Sequence, residues 1–149
     1  MRFAFLLAAT LTATGCVDDA SFPVDTGPTE VTFPEGFLGG SATAGFQIES
    51  GLANTDWGLW ATLPGKIANG DVPDDGPDAL AHIDEDVALM QAAGHTTYRF
   101  GIEMARVYPT QESFDNNEPD AAGLASYDAL VDALVAADIT PMVTLHHFV

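Results

Sequence analysis

Basic residues are scarce in this chain. Lys and Arg number four against 22 Asp and Glu, leaving a net charge of −18 over 149 residues. A surplus of that sign repels phosphate backbones and anionic lipid headgroups, which argues against nucleic acid or a bare membrane surface as partner. Cysteine is almost absent: Cys16 stands alone, so no internal disulfide can form. Metal-ligand spacing is missing as well. His146 and His147 are adjacent and on a strand would project to opposite faces, with no third ligand beside them. The run Gly40-Ser-Ala-Thr-Ala-Gly45 has the glycine spacing of a phosphate loop, but Phe46 and Gln47 stand where Lys and Ser or Thr would be needed. Neither a nucleotide nor a metal cofactor is expected.

The N-terminus reads as an export signal. Arg2 gives a positive start, and Phe3 to Leu11 is apolar but too short to span a bilayer. The following LTATGC, ending at Cys16, resembles a bacterial lipobox, whose cysteine becomes the lipidated first residue. Ala13 replaces the usual Leu three residues earlier, so a lipoprotein, plain secretion and a fortuitous cysteine all stay open. Residues 17–32, VDDASFPVDTGPTEVT, hold too few apolar side chains to bury and read as a flexible tether. After Phe33 small and apolar residues take over, and a domain is expected from there to Val149.

Within 33–149 the apolar pattern alternates between two periods. Gly36 to Glu49, Thr97 to Glu103 and Pro141 to Phe148 each read as a strand with a polar side chain near its end. Asp78 to Gly94 and Asp120 to Asp138 carry helical spacing, through Leu80, Ile83, Val87 and Met90 and then Leu124, Tyr127, Val131 and Leu134. Asp78 is the expected N-cap of the first helix and Gly94 its stop, while Asp138 takes the place where Gly often ends a helix. Strand, helix, strand, helix, strand implies parallel strands with helical crossovers, hence an α/β fold of barrel type. A (β/α)8 barrel takes about 250 residues, so the chain is expected to supply its first three strands and two helices as part of a longer protein.

Alternation along the second strand separates Tyr98, Phe100 and Ile102 from Arg99, Gly101 and Glu103. In a helix-wrapped barrel the apolar set faces the helices and leaves Arg99 and Glu103 inside. A buried Arg beside a buried Glu needs partners: either the two form an internal ion pair, or Arg99 serves another carboxylate. Between the first strand and the first helix run Asn54 to Trp60 and Leu63 to Pro77. Such a long connection is either part of a site or a surface excursion, and Trp57 and Trp60 are either aromatic surface or core.

The strings FPEGFLGGSATAGFQIES, YRFGIEMARVYPT and ITPMVTLHHF resemble, in order and spacing, the opening of glycoside hydrolase family 1, the β-glucosidase and β-glycosidase family. The resemblance covers about residues 33–149. It implies a retaining β-glycosidase with a (β/α)8 barrel, acting on a β-linked sugar without a cofactor, which the N-terminal segment would export. It further implies that Gln47 and His147 bind hydroxyls of the sugar beside the cleavage point, whereas His146 packs outside, and that Arg99 holds the nucleophile carboxylate ionised. Neither catalytic glutamate is expected in this chain. Asn117-Glu118-Pro119 spells the family's acid/base tripeptide, but in the family that motif ends the fourth strand. Here it lies in a polar loop before the second helix, no setting for a group that must hand a proton to a leaving group. Where the family usually carries aromatic residues, Trp at the first and last, this chain has Gly39, Met104 and Phe148, which bears on substrate choice because flat rings stack on sugars. The rival expectation is an exported, lipid-anchored sugar-binding or scaffold protein without catalysis.

Overall fold

The computed structural model of the chain describes residue 27 and residues 32–147. The export segment 1–16 with Cys16, most of the 17–32 tether and Phe148 lie outside the described residues. In the unit that starts at Glu35, three parallel strands form one sheet: β1 (Gly40–Ala42), β2 (Thr97–Gly101) and β3 (Thr140–Thr144), in the order β1-β2-β3. Thr97 pairs with Gly40 on one side and Thr140 on the other, and Gly101 with Thr144. The alternation of apolar periods is therefore realised as parallel strands with helical crossovers.

Between the strands lie α1 (Gly45–Ile48), α2 (Asp56–Ala61), α3 (Ile83–Ala92), α4 (Met104–Val107), α5 (Gln111–Asp115) and α6 (Ala121–Ala136). The core forms where α3 and α6 cover one face of β2. Tyr98 and Phe100, stacked at 5.8 Å between ring centroids, meet Val87 of α3 and Tyr127, Leu130 and Leu134 of α6, with Ile139 closing the end. Leu134 is fully buried, and burial of such a side chain stabilises by about 1.5–3 kcal/mol.

Both crossover helices end alike. After α3, Gly94 takes φ of 76°, its N–H donates to the Gln91 carbonyl, and the His95 N–H reaches the Met90 carbonyl. After α6, Asp138 takes φ of 60°, with its own N–H on the Val135 carbonyl and that of Ile139 on the Leu134 carbonyl. This paired arrangement satisfies carbonyls the helix leaves open. Asp138 thus fills the glycine position as the sequence implies.

The beginnings differ. Asp120 caps α6 as expected, its Oδ1 accepting the Gly123 N–H at 2.7 Å. Asp78 caps nothing: it adopts φ of 49° before a 3₁₀ turn, and α3 starts only after His82. Asp84, Glu85 and Asp86 fill the first turn of α3, where negative charge suits the helix dipole. In α6, Leu124 is exposed and Leu130 holds the core position instead.

The first strand is the largest departure from expectation. Only Gly40–Ala42 pairs, and Gly45–Ile48 coils into a helical turn. Gln47 is therefore not at the end of a strand but on that turn. The connection that follows is not structureless either, since it contains α2 and two 3₁₀ turns. Asn54 ties it down by donating to the carbonyls of Ala105 and Pro109 at 2.9 and 3.1 Å.

Candidate functional site

Parallel strands bring their C-terminal ends to one edge of a sheet, and in barrels that edge is where chemistry is built. Three chain segments leave this edge: Thr43–Ser50 after β1, Ile102–Val107 after β2 and Leu145–His147 after β3. Gln47 lies on α1 and is exposed, Arg99 lies within β2 and is half-buried, and His147 stands three residues past the end of β3, also half-buried. Gln47 thus follows β1, Arg99 lies in β2 and His147 follows β3, three strands that are neighbours in the order β1, β2, β3. His146 is exposed.

Arg99 does not pair with Glu103. Its Nε donates to Thr144 Oγ1 at 2.8 Å, which links the middle of β2 to the last residue of β3. Glu103 sits beyond the strand, where the chain turns into α4, and is 3% exposed. Its carboxylate packs against the start of α1, beside Gly45, where the N–H groups of Gly45 and Phe46 favour its charged form. A buried carboxylate packed beside the open N–H groups of a helical start favours a turn at residues 45–48 over extension. Gly45 is required at that contact, because a Cβ there would lie 2.2 Å from Glu103 Oε1 and 2.5 Å from its Cγ.

The other end of α1 is anchored as firmly. Glu49, its C-cap residue, is 4% exposed, and its Oε2 accepts from Arg106 Nε at 3.0 Å and from the Tyr127 hydroxyl at 2.9 Å. Arg106 also donates through Nη2 to the Ser50 carbonyl. The Tyr127 oxygen in turn accepts the backbone N–H of Glu103 at 3.0 Å. One connected hydrogen-bond network therefore runs from the Glu103 N–H through Tyr127 to Glu49 and Arg106, with the Glu103 carboxylate packed on Gly45. Breaking a buried pair of this kind by removing one partner typically costs about 3–5 kcal/mol, because the other charge is left without compensation.

Burial dominates the electrostatics. It raises Glu49 above the ordinary carboxylate range, against the opposing pull of the Tyr127 and Arg106 hydrogen bonds. Burial also raises Glu103, reinforced by the charge of Glu49 and opposed by Arg106 and the two α1 N–H groups. Tyr127 is pushed far up for the same first reason, with Glu49 next, so its hydroxyl stays a donor. Arg106 is the cation both acids share.

Aromatic surface lies beside this region. Phe46 and Trp57 are tilted at 6.5 Å between centroids, Lys66 Nζ is 4.6 Å from the centre of the Trp60 ring, and both Trp side chains are more than two-fifths exposed. The two Trp are surface, not core. Met104 is also exposed. Asn117 and Glu118 lie in the exposed segment between α5 and α6, where Asn117 Oδ1 accepts from the Tyr108 hydroxyl at 2.9 Å. Among the described residues no three His, Cys, Asp or Glu side chains gather as a metal site.

Glu49, Arg106 and Tyr127 were not singled out by sequence reasoning as a unit. Arg106 offered one signal, as one of four basic residues in so acidic a chain, while Tyr127 was legible only as an apolar helix position.

Comparison with known proteins places this geometry. The model of glycosyl hydrolase family 1 matches residues 29–149. Thermostable beta-glucosidase B of Thermobispora bispora is 36% identical over 151 residues, covering 99% of this chain and 29% of the relative. Beta-glucosidase 6 of Oryza sativa subsp. japonica is 37% identical over 139 residues, covering 90% of this chain and 25% of the relative. Among solved structures, the family 1 β-glucosidase from Thermotoga maritima superposes with a TM-score of 0.69 at 36% identity, over 78% of this chain and 27% of that one. The chain spans about a quarter of the length of the curated relatives it matches. Its parallel sheet and crossover helices are part of that family's (β/α)8 barrel, and the chain belongs to glycosyl hydrolase family 1.

Proposed function

We propose that this chain is the N-terminal part of an exported, retaining β-glycosidase of the β-glucosidase type. The observation that carries the reading is the arrangement of the three matched strings: they supply adjacent parallel strands, with Gln47 on the turn after β1, Arg99 within β2 and His147 past the end of β3. An amide and an imidazole both donate and accept, as a sugar hydroxyl does. Gln47 and His147 are the residues that position the sugar. Arg99, fixed by its Nε on Thr144, supports a carboxylate that acts as nucleophile. Retaining hydrolysis needs two carboxyl groups about 5 Å apart, and both belong to a part of the barrel other than the residues described here. By this reading the described residues hold and orient the glycon but do not break the bond. Cys16, with the apolar stretch before it, attaches the enzyme to a membrane through lipid, and the tether spaces the barrel from that anchor.

The test is to express the full-length gene product and assay it on nitrophenyl β-glucoside, β-galactoside, β-fucoside and β-mannoside, following the anomer first released by NMR. Release of the β-anomer supports the reading. Inversion, or absence of turnover with sugar binding retained, overturns it, the latter in favour of a lipid-anchored binding protein. Mass analysis of the mature N-terminus decides whether Cys16 carries lipid.

A further inference from the structure

The network that brackets α1 has no counterpart among the residues assigned to sugar or catalysis. Gln47 sits on a single helical turn of four residues, and a turn so short has no stability of its own in water. What fixes it is external. At its start, the buried Glu103 carboxylate packs directly against Gly45. At its end, Glu49 is gripped by Arg106 and Tyr127, and the backbone of Ser50 by Arg106 again. Tyr127 closes the circuit by accepting the Glu103 N–H, so both anchors share one hydroxyl. The members come from β2's exit, α4 and α6, between 49 and 127 in sequence, which makes the turn's position a function of how α6 docks.

We infer that Glu49, Arg106, Tyr127 and Glu103 are positioning residues for Gln47: they hold its turn in the one place from which the amide can reach a sugar hydroxyl. This rests on the reading of Gln47 as a sugar ligand. Glu49, Glu103 and Tyr127 are buried and Arg106 is half-buried with its guanidinium on Glu49 and Ser50, so they act through Gln47. Loss of one anchor lets the turn shift, and a misplacement of about 1 Å of a group that orients substrate can cost up to about 100-fold in rate.

The experiment uses full-length enzyme and a series of monodeoxy nitrophenyl β-glycosides, each lacking one hydroxyl of the best substrate. The readout is the ratio of kcat/KM for the parent glycoside to that for each analogue. Gln47→Ala is expected to abolish the preference for at least one hydroxyl. Tyr127→Phe is expected to weaken that same preference about tenfold or more, and Gln47→Ala combined with Tyr127→Phe to show no further loss, the non-additivity of residues acting in one chain. Glu49→Gln keeps the side-chain shape and is the second variant should Tyr127→Phe not fold. A purely structural role would lower the amount of active enzyme equally for all analogues and leave the ratios fixed. Unchanged ratios in Tyr127→Phe or Glu49→Gln, with Gln47→Ala altered, overturn the positioning role. Unchanged ratios in Gln47→Ala overturn the underlying assignment of Gln47.

Discussion

Gly123 lies inside α6 and is buried, and replacing it with Ala sets two effects of opposite sign against each other. On helix propensity alone Gly→Ala in a helix stabilises by about 0.5–1 kcal/mol. Packing opposes this. A Cβ on Gly123 would stand 2.4 Å from the Arg106 carbonyl oxygen, 3.0 Å from its carbon and 3.2 Å from Arg106 Cγ, and two of those three atoms are backbone that cannot rotate away. Comfortable separation begins near about 3.5 Å, so α6 and α4 must part by about 1 Å. Overpacking of that order costs about 1–3 kcal/mol. The same movement pulls Tyr127, one turn further along α6, from Glu49 Oε2 at 2.9 Å, and a hydrogen bond to a charged group contributes about 1.5–3 kcal/mol. The propensity gain is therefore the smallest of the three, and Gly123→Ala is expected to destabilise by about 2–4 kcal/mol. The assay is the urea midpoint of full-length enzyme, with exposed Ala125→Gly on α6 as the propensity control, itself expected to lose about 0.5–1 kcal/mol. A Gly123→Ala midpoint equal to or above the parent's, alongside a normal control, would refute the close contact between α6 and α4.

Asp138→Gly is expected to raise stability by up to about 1 kcal/mol, since it relieves a left-handed conformation and removes an acid from the negative end of α6; a lower urea midpoint would count against the Schellman-type ending. Burial raises both Glu49 and Glu103, so the folded state binds their protons more tightly than the unfolded chain, and stability falls as pH rises from the ordinary carboxylate value of about 4.3 through the raised ones. The midpoint should therefore climb as pH is lowered from 7 toward about 5, and Glu103→Gln should flatten the climb; an identical slope in parent and variant would exclude Glu103 as a source. Residues 33–149 expressed alone are expected to aggregate, because β1 and β3 are both edges of the sheet and Met142, Val143 and Leu145 are exposed beside one of them. A soluble monomer with a cooperative melting transition would show that the sheet is self-sufficient.

The elements that sequence made legible are those whose causes are local. β2 is bounded correctly at its start by Thr97 because its apolar side chains alternate, and α6 is bounded within a residue or two because Asp120 caps it and Asp138 ends it. The start of α3 lies beyond the expected Asp78 because of a competition that local rules do not rank. Asp78 offers a capping side chain, but the triple acid run at Asp84–Asp86 favours a later first turn, and the chain spends the interval in a 3₁₀ turn after a left-handed Asp78.

Around Gln47 the missing information was long-range. Gly36 to Glu49 reads as a strand because its apolar and small residues are consistent with one, and nothing within it opposes extension. Opposition comes from Glu103, 58 positions after Gly45, whose buried carboxylate packs against the open N–H end of the turn. Alternation gives Arg99 and Glu103 one face, which leaves an ion pair between them as one of two alternatives, but β2 ends at Gly101, so the alternation that unites them no longer applies at Glu103. Arg99 then found Thr144 at 2.8 Å, and the acid was left for α1. A carboxylate placed just past a strand's end is thus better read by asking which helix start it can reach than by asking which neighbour shares its strand face. Here the answer connects Glu103 to the turn that carries Gln47, so the same departure from the expected strand is what makes the position of that amide depend on Tyr127 and Glu49.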